Sequence, residues 1–260
     1  MCDDDGLAEK KLVCTQSSTT SKMFRNLSLV LLLVSAQLAR SVPVASSDLE
    51  ARATCPTYKV IEAPGLGDDS GTWTSPTTFQ LLHDLAGGER YLLTTPTPPD
   101  SGPNSDFVQM IALAATGANE IVTTVASTFA TCPNTKIVLF GYSYGSIEVV
   151  LALNNPSLVR LPIAAVIMYG NCFWHAGRRE NRGTATEGTS ACGQAQGLGT
   201  PVTYESVAAD FCLKNDYLCT GTSYTAGDNT HWSYKNSNWQ TEAVQFAAAR
   251  IKSGNNIPLK

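Results

Sequence analysis

The segment Gly141-Tyr142-Ser143-Tyr144-Gly145 constrains the fold more than any other part of the chain. It fits the pattern G-x-S-x-G of a nucleophile elbow, in which a strand turns sharply into a helix and exposes a serine hydroxyl. The apolar run 137–140 before it predicts a buried strand, and residues 147–154 after it predict a helix. This context favours a serine hydrolase over an ordinary Gly-rich turn between a strand and a helix.

The first 41 residues are predicted to lie outside the folded domain. A second methionine, Met23, is followed by a short basic segment and a mostly apolar stretch over 27–38. This is the anatomy of a signal peptide, and the apolar stretch is too short to span a membrane. The alternative is a cytosolic tail before a buried core helix. We predict a non-structural extension over 1–22, a signal peptide over 23–41 and a single domain over 42–260.

Composition excludes several classes of function. The formal net charge is −4 and no basic stripe is present, so neither nucleic acid nor anionic lipid is an expected partner. The absence of a CxxC pair and the wide spacing of the three histidines argue against a metal site, and we predict no metal and no cofactor. An even number of cysteines in an exported chain indicates three disulfides, although spacing leaves their pairing open. The six cysteines of the predicted domain are Cys55, Cys132, Cys172, Cys192, Cys212 and Cys219.

Strands alternate with helices along the predicted domain. A long, polar, Gly-rich loop over 171–201 is expected to shape a site. The alternation predicts a parallel sheet between two layers of helices, which is an α/β fold. The predicted strands cover 58–63, 90–94, 137–140 and 163–169, and the predicted helices cover 106–129 (with Ser105 as its cap), 147–154 and 242–252.

A serine hydroxyl is a poor nucleophile at neutral pH and needs a base that a third group orients. In the α/β-hydrolase order, the acid and then the histidine follow the serine, so only His175 and His231 qualify as the base. We favour His231, because it follows a flexible stretch near the last loop. For the acid we favour Asp216, which lies between Cys212 and Cys219. The alternatives are Asp210 and Asp228.

Stabilisation of the oxyanion needs two backbone N–H donors. One normally comes from the residue after the nucleophile, here Tyr144, and the other from a loop after an early strand. The segment Pro64-Gly65-Leu66-Gly67 is the early Gly-rich loop that follows a predicted strand. Gly65 or Leu66 is therefore the predicted second donor, and we favour Leu66.

Three segments together resemble the fungal cutinase and acetylxylan-esterase family: Gly141 to Gly145, Cys212-x-x-x-Asp216-x-x-Cys219-Thr-Gly, and His231-Trp-Ser-Tyr234. The resemblance implies a small, three-layer, lidless α/β-hydrolase with a five-stranded parallel sheet and a Ser143–Asp216–His231 triad. It also implies the disulfides Cys55–Cys132 and Cys212–Cys219, which leaves Cys172–Cys192 as the third pair.

The chain departs from the family pattern at two places in the predicted oxyanion hole. Tyr144 stands where the family usually has Gln, and Leu66 stands where it usually has a hydroxyl residue. Loss of one donor to the oxyanion can lower the rate on the order of a hundredfold. We therefore expect a working esterase with an altered oxyanion loop.

Four aromatic residues in predicted loops are candidates for the rim of the site: Trp73, Phe173, Trp174 and Trp232. They would suit either an acyl chain or a sugar ring. The predicted function is a secreted, monomeric serine esterase without stable membrane association, acting on a cutin-type polyester. An acetylxylan (polysaccharide acetyl) esterase is the alternative. A catalytically impaired binding or effector protein on the same scaffold is the second alternative.

Overall fold

A parallel β-sheet forms the centre of the molecule. The computed structural model describes residues 55–98, 106–159, 161, 163–190, 192 and 198–253. The predicted extension, signal peptide and cap Ser105 lie outside these residues. The strands are β1 (Tyr58–Ala63), β2 (Gly88–Leu92), β3 (Lys136–Tyr142), β4 (Ile163–Tyr169), β5 (Asn181–Gly183) and β6 (Ala208–Cys212). The helices are α1 (Ser75–Asp84), α2 (Phe107–Thr131), α3 (Tyr144–Leu153), α4 (Tyr217–Thr220) and α5 (Asn238–Ser253).

Every strand pair in this sheet is parallel, and the strand order is β2-β1-β3-β4-β6-β5. The sheet has six strands in the described part of the chain, so the expectation of five was wrong. Beyond the four strands whose ranges were predicted, the sheet contains β6 and β5, and β5 consists of three residues that pair with β6 at the edge of the sheet. Strand β5 arises within the long polar loop and has no apolar pattern that could have predicted it.

Helices cover both faces of the sheet because the side chains of its strands alternate between two apolar clusters. Ile61 and Leu139 join the cluster on the side of α2 and α3, whereas Val60 and Val138 join the cluster on the side of α5. Full burial of a side chain of this kind contributes about 1.5–3 kcal/mol. The arrangement confirms the predicted three-layer α/β fold.

The observed helices and strands differ from the sequence prediction in several places. Asp106 caps α2, since its carboxylate accepts hydrogen bonds from the Val108 and Gln109 N–H groups at 3.0 and 3.2 Å. The helix α1 was not predicted, because its sequence is mostly polar and opens with Ser75-Pro76. The predicted strand over 90–94 begins at Gly88 and ends at Leu92.

Among the described residues, α2 is the one helix that is long and apolar enough to cross a membrane by length and composition. It packs instead as a core helix. Met110, Ile111, Ala114 and Ile121 are all less than 10% exposed and belong to the cluster that it shares with α3 and the sheet. A buried helix in the core of a globular domain has the same apolar composition.

Three disulfides are present, and they pair Cys55 with Cys132, Cys172 with Cys192 and Cys212 with Cys219. Their Cα–Cα distances of 5.1–5.9 Å lie in the usual range. The pairing is the one that the family resemblance implied. The Cys212–Cys219 bridge closes a short loop directly after β6.

The carboxyl ends of parallel strands all lie at one edge of the sheet, and ligands of such sheets bind at that edge. Loop 64–67 leaves β1 there, Ser143 follows β3, and the Cys212–Cys219 loop follows β6. The first turn of α2 begins at the same edge, because this helix leads back toward the start of β3. The fold therefore brings distant segments of the sequence to one place.

Candidate active site

Ser143 lies in a sharp turn between β3 and α3. Its backbone has φ 54° and ψ −117°, and within the described residues only Ser143 and Asn236 combine a side chain with a positive φ. Such a conformation is strained for a residue other than glycine and marks functional turns. A Cβ atom on Gly145 would lie 1.9 Å from the Ala63 carbonyl oxygen, so only glycine fits there. This is the backbone geometry of a nucleophile elbow.

His231 and Asp216 lie beside this serine and form a continuous hydrogen-bonded chain with it. His231 Nε2 is 2.9 Å from Ser143 Oγ, and His231 Nδ1 is 2.8 Å from Asp216 Oδ1. The Tyr142 ring stacks on the imidazole at 5.3 Å, and the Tyr142 hydroxyl donates to the His231 carbonyl oxygen at 2.9 Å. These contacts hold the ring between the serine and the carboxylate.

The Asp216 side chain is fully buried and is surrounded by donors. Besides His231, the Leu218 N–H donates to Oδ1 at 3.0 Å and the Tyr234 hydroxyl donates to Oδ2 at 2.5 Å. Burial by itself would raise the pKa of this carboxyl. The charge of His231 and these hydrogen bonds outweigh it, so the pKa of Asp216 lies below its usual value. The carboxylate therefore stays ionised next to the imidazole.

The three alternatives considered for the acid and the base lie elsewhere. The His175 backbone bridges to Thr189 in the long loop. Asp210 accepts a hydrogen bond from Asn171 at 2.8 Å. Asp228 accepts from the Thr230 N–H and hydroxyl, and so holds the turn before His231. None of the three is hydrogen-bonded to Ser143 or His231.

Loop 64–67 passes beside the serine, where a second oxyanion donor is expected. A Cβ atom built on Gly65 would lie 3.6 Å from Ser143 Cβ. The Gly67 N–H already donates to the Pro98 carbonyl oxygen, whereas Leu66 lines the cavity above Ser143. Tyr144 is the first residue of α3, so its N–H has no partner within the helix. The arrangement is compatible with Leu66 and Tyr144 as the two donors.

Asp68 organises the segment that follows this loop. Its Oδ1 accepts from the Ser70 hydroxyl and the Thr72 N–H at 2.9 Å each, and its Oδ2 accepts from the Trp73 N–H at 3.1 Å. The carboxylate thus fixes Trp73 at the wall of the site. Sequence reasoning assigned no role to Asp68.

The site opens into a cavity of about 240 Å³, which we call the active-site cavity. Trp73 and Trp232, two of the four predicted rim residues, line this cavity. Phe173 and Trp174 do not, and each is only 1% exposed. Phe173 packs in the core beside the Cys172–Cys192 disulfide, and Trp174 packs on the Cys212–Cys219 disulfide, so their assignment to the rim was wrong.

Several cavity residues were not predicted: Gly67, Asp68, Thr72, Phe107, Met110, Tyr142, Ile147, Tyr217 and Leu218. Phe107 and Met110 lie in the first turn of the helix that was predicted over 106–129. A crossover helix begins at the carboxyl edge of a parallel sheet, and this signal could have placed its first turn at the site.

Comparison with known proteins identifies the family to which this fold belongs. The family model described as Cutinase matches residues 54–251. A cutinase from Kineococcus radiotolerans is 26% identical over 77% of this chain, which spans 64% of that relative. A cutinase from Monilinia fructicola is 32% identical over 56% of this chain and 68% of its own length. The solved structure of an acetyl xylan esterase is 23% identical and has a TM-score of 0.62, covering 76% of this chain and 100% of that chain. At this identity the structural match shows the shared fold.

Proposed function

The chain belongs to the cutinase family of carboxylic-ester hydrolases, and we propose that it is a secreted esterase that uses Ser143, His231 and Asp216 to cleave aliphatic esters of the cutin type. The observation that carries this proposal is the hydrogen-bonded chain of these three residues at the elbow. The three disulfides support an extracellular location, because such bonds persist in oxidising compartments.

In the proposed reaction, Ser143 Oγ attacks the ester carbonyl carbon while His231 Nε2 takes its proton. Asp216 holds the imidazole in the required tautomer and stabilises the imidazolium. The tetrahedral oxyanion accepts hydrogen bonds from the Tyr144 and Leu66 N–H groups. The carbon–oxygen bond to the alcohol then breaks, the alcohol leaves with the proton from His231, and an acyl group remains on Ser143. Water repeats the sequence and releases the acid.

The walls of the active-site cavity favour an aliphatic acyl group. Leu66, Phe107, Met110 and Ile147 contribute a continuous apolar wall. The volume of about 240 Å³ lies just below the range of about 300–1,000 Å³ usual for drug-sized ligands, which suits an acyl chain of short to medium length.

Trp73 is poorly placed to stack on a sugar ring. The Lys235 ammonium lies 3.8 Å from the centre of its indole ring, and the Tyr142 ring packs against it at 5.5 Å. A sugar would have to displace one of these neighbours. This observation favours a polyester over acetylated xylan as the substrate.

The first test measures hydrolysis of p-nitrophenyl esters from acetyl to palmitoyl by the secreted protein. We expect activity to peak at butyrate or longer and to vanish in Ser143→Ala. Activity confined to acetate would favour the polysaccharide esterase. No activity at any length, together with no labelling of Ser143 by an organophosphonate, would favour the binding protein.

A second test addresses the acyl wall. Phe107→Ala should lower kcat/KM for longer esters by about tenfold and leave acetate nearly unchanged, because only longer chains reach this side chain. Val108→Ala is the matched control, since Val108 is the next residue and is 62% exposed. Equal losses for acetate and longer esters in Phe107→Ala would contradict the assignment of this wall.

A further inference from the structure

The hydroxyl group of Tyr234 lies at the centre of the loop that the Cys212–Cys219 disulfide closes. It is 2.5 Å from Asp216 Oδ2, 3.2 Å from the Leu213 nitrogen and 3.8 Å from Cys219 Sγ. The side chain is 1% exposed. One hydroxyl therefore contacts both ends of this loop and the carboxylate in its middle.

The direction of these hydrogen bonds follows from the partners. The Leu213 N–H can only donate, so it occupies a lone pair of the phenol oxygen. The phenol proton is then available to the ionised Asp216, which can only accept. Burial, together with the charge of Asp216, raises the pKa of Tyr234 well above its usual range, so the phenol keeps this proton.

Ring packing fixes the position of the hydroxyl. The Tyr234 ring stacks on Tyr169 with a centroid distance of 5.2 Å and an interplanar angle of 9°, and it meets the edge of Tyr142 at 6.3 Å. The Tyr169 hydroxyl is itself held by Thr77 at 3.1 Å. A phenol held in this way can determine which carboxylate oxygen faces the imidazole.

We propose that Tyr234 is a positioning residue of the active site: it directs Oδ1 of Asp216 toward His231 and limits the proton affinity of the Asp216–His231 pair. The proposal rests on the proposed function. Without the phenol, the carboxylate keeps, among the described residues, only its two contacts at Oδ1 and can rotate away from the productive geometry.

The effect on proton affinity has a defined sign. The pair carries one negative charge when the imidazole is neutral and no net charge when it is protonated. A hydrogen-bond donor at Oδ2 stabilises the form with a net negative charge more strongly than the form with no net charge. Removal of this donor therefore raises the pH at which the pair takes up a proton. In the described part of the chain, the other titratable groups that face the pair are Tyr142 from β3, Tyr217 from α4 and Asp228 from the turn before His231.

The test compares Tyr234→Phe with Tyr169→Phe. Both remove one hydroxyl from the same buried ring stack, but the Tyr169 hydroxyl does not contact Asp216. In Tyr234→Phe we expect kcat to fall roughly ten- to hundredfold, as for loss of a hydrogen bond to a charged group. In the pH profile of kcat/KM, the acid limb (the rise in activity on the low-pH side) should move to higher pH by about half a unit or more. Tyr169→Phe should keep the wild-type limb and kcat within about twofold.

A merely structural role would lower the unfolding temperature of Tyr234→Phe and leave kcat and the acid limb unchanged, and this result would overturn the proposal. If Tyr234→Phe does not fold, 3-fluorotyrosine at position 234 gives a stronger donor of the same shape. The acid limb should then move to lower pH, and an unmoved limb would overturn the proposal.

An NMR titration of the imidazole protons separates this proposal from the proposed function. The chain has only three histidines, so the His231 signals can be assigned by comparison with His231→Gln. The titration midpoint should rise in Tyr234→Phe even in the absence of esterase activity. A rise in the midpoint together with an inactive wild-type protein would refute only the proposed function.

Discussion

Asp210 lies within β6, and Asp216 lies just after this strand, six residues further along the chain. Both side chains are buried. Asp210 accepts one hydrogen bond, from Asn171, and its Oδ1 has no partner among the described residues. Burial raises its pKa to about 7, and the charge of Glu180 adds to the rise. Asp216 accepts three hydrogen bonds and faces His231, and its pKa is lowered in spite of burial.

The two aspartates differ in the number of donors they face and in the neighbouring charge, while the depth of burial is nearly the same. A buried carboxylate without donors avoids the cost of desolvation by taking up a proton. A carboxylate with several donors, including a histidine, keeps its charge in the same interior. The site therefore depends on the donors that the Cys212–Cys219 loop and Tyr234 present to Asp216.

The largest predicted effect comes from removing the charge of Asp216. In Asp216→Asn we expect kcat to fall by about 10⁴-fold, because an amide cannot stabilise the imidazolium and favours the wrong tautomer. The measurement is kcat with a butyrate ester. Asp210→Asn makes the same chemical change at similar depth and should keep kcat within about twofold. Comparable losses in both variants would mean that charge at this edge, rather than contact with His231, supports activity.

Asp210→Asn should nevertheless change stability. In the folded protein Asp210 keeps its proton up to about pH 7, whereas an unperturbed aspartate loses it near 3.8. Stability therefore falls as pH rises between these values, and an asparagine avoids the loss. We expect the variant to be more stable than the wild type by about 2–4 kcal/mol at pH 8 and to show no gain at pH 4. Urea unfolding at both pH values measures this, and an equal difference at both would contradict the prediction.

The same contrast recurs between two glutamates on the helices. Glu148 on α3 is 1% exposed, and its Oε2 has no partner among the described residues. Burial, followed by the charge of Glu120, raises its pKa to about 8. Glu120 on α2 accepts hydrogen bonds from Tyr91, Thr94 and Thr95 at 2.5–2.8 Å. Burial opposes ionisation of Glu120 too, but these donors lower its pKa to about 2.

Glu148→Gln is expected to stabilise the protein at alkaline pH. The raised pKa of Glu148 means that stability falls between pH 4.5 and about 8, and glutamine removes this dependence. We expect a gain of about 2 kcal/mol at pH 9 and none at pH 4. This gain in stability should be smaller than that for Asp210→Asn. Glu148 lies between α2 and α3, and two helices can separate and admit water more easily than paired strands. A destabilised variant at pH 9 would show that Glu148 is ionised and satisfied in the folded protein.

The sequence predicted those parts of the molecule that a local pattern determines. The apolar run over 163–169 predicted both ends of β4 correctly, because a strand that is buried on both faces of the sheet is apolar along its whole length. The pattern G-x-S-x-G placed the turn at Ser143, and chain order with the cysteine spacing selected Asp216 and His231, which the structure brings within hydrogen-bond distance of one another and of Ser143.

Features that depend on tertiary contacts could not be predicted from the sequence. Phe173 and Trp174 occur in a polar loop, and they are buried through contacts with distant residues: Phe173 belongs to a large apolar cluster of the core, and Trp174 packs with Cys212 and Cys219. Strand β5 forms because β6 offers a free edge, and its three residues, Asn181, Arg182 and Gly183, include no apolar side chain that could have predicted a strand. Of the three donors at Asp216, the Leu218 N–H is local, but His231 and Tyr234 lie 15 and 18 residues away in the sequence. The lowered pKa of Asp216 therefore could not be predicted from its neighbours in the sequence alone.

Glu120 is the carboxylate for which we expect the smallest effect, because it has many hydrogen-bond donors but lies close to solvent. Its lowered pKa contributes stability that is present above about pH 4.5 and lost as pH falls through about 2. After allowance for solvent screening, we expect Glu120→Gln to destabilise the protein by about 1 kcal/mol at pH 7 and by less near pH 2. Glu89→Gln, at a glutamate 49% exposed and paired with Lys59 at 3.2 Å, is the matched control and should cost about 0.5 kcal/mol or less. Thermal unfolding of both variants measures the difference. Equal losses would mean that hydrogen-bond donors control the charge of a carboxylate only where water is excluded, as it is around Asp216.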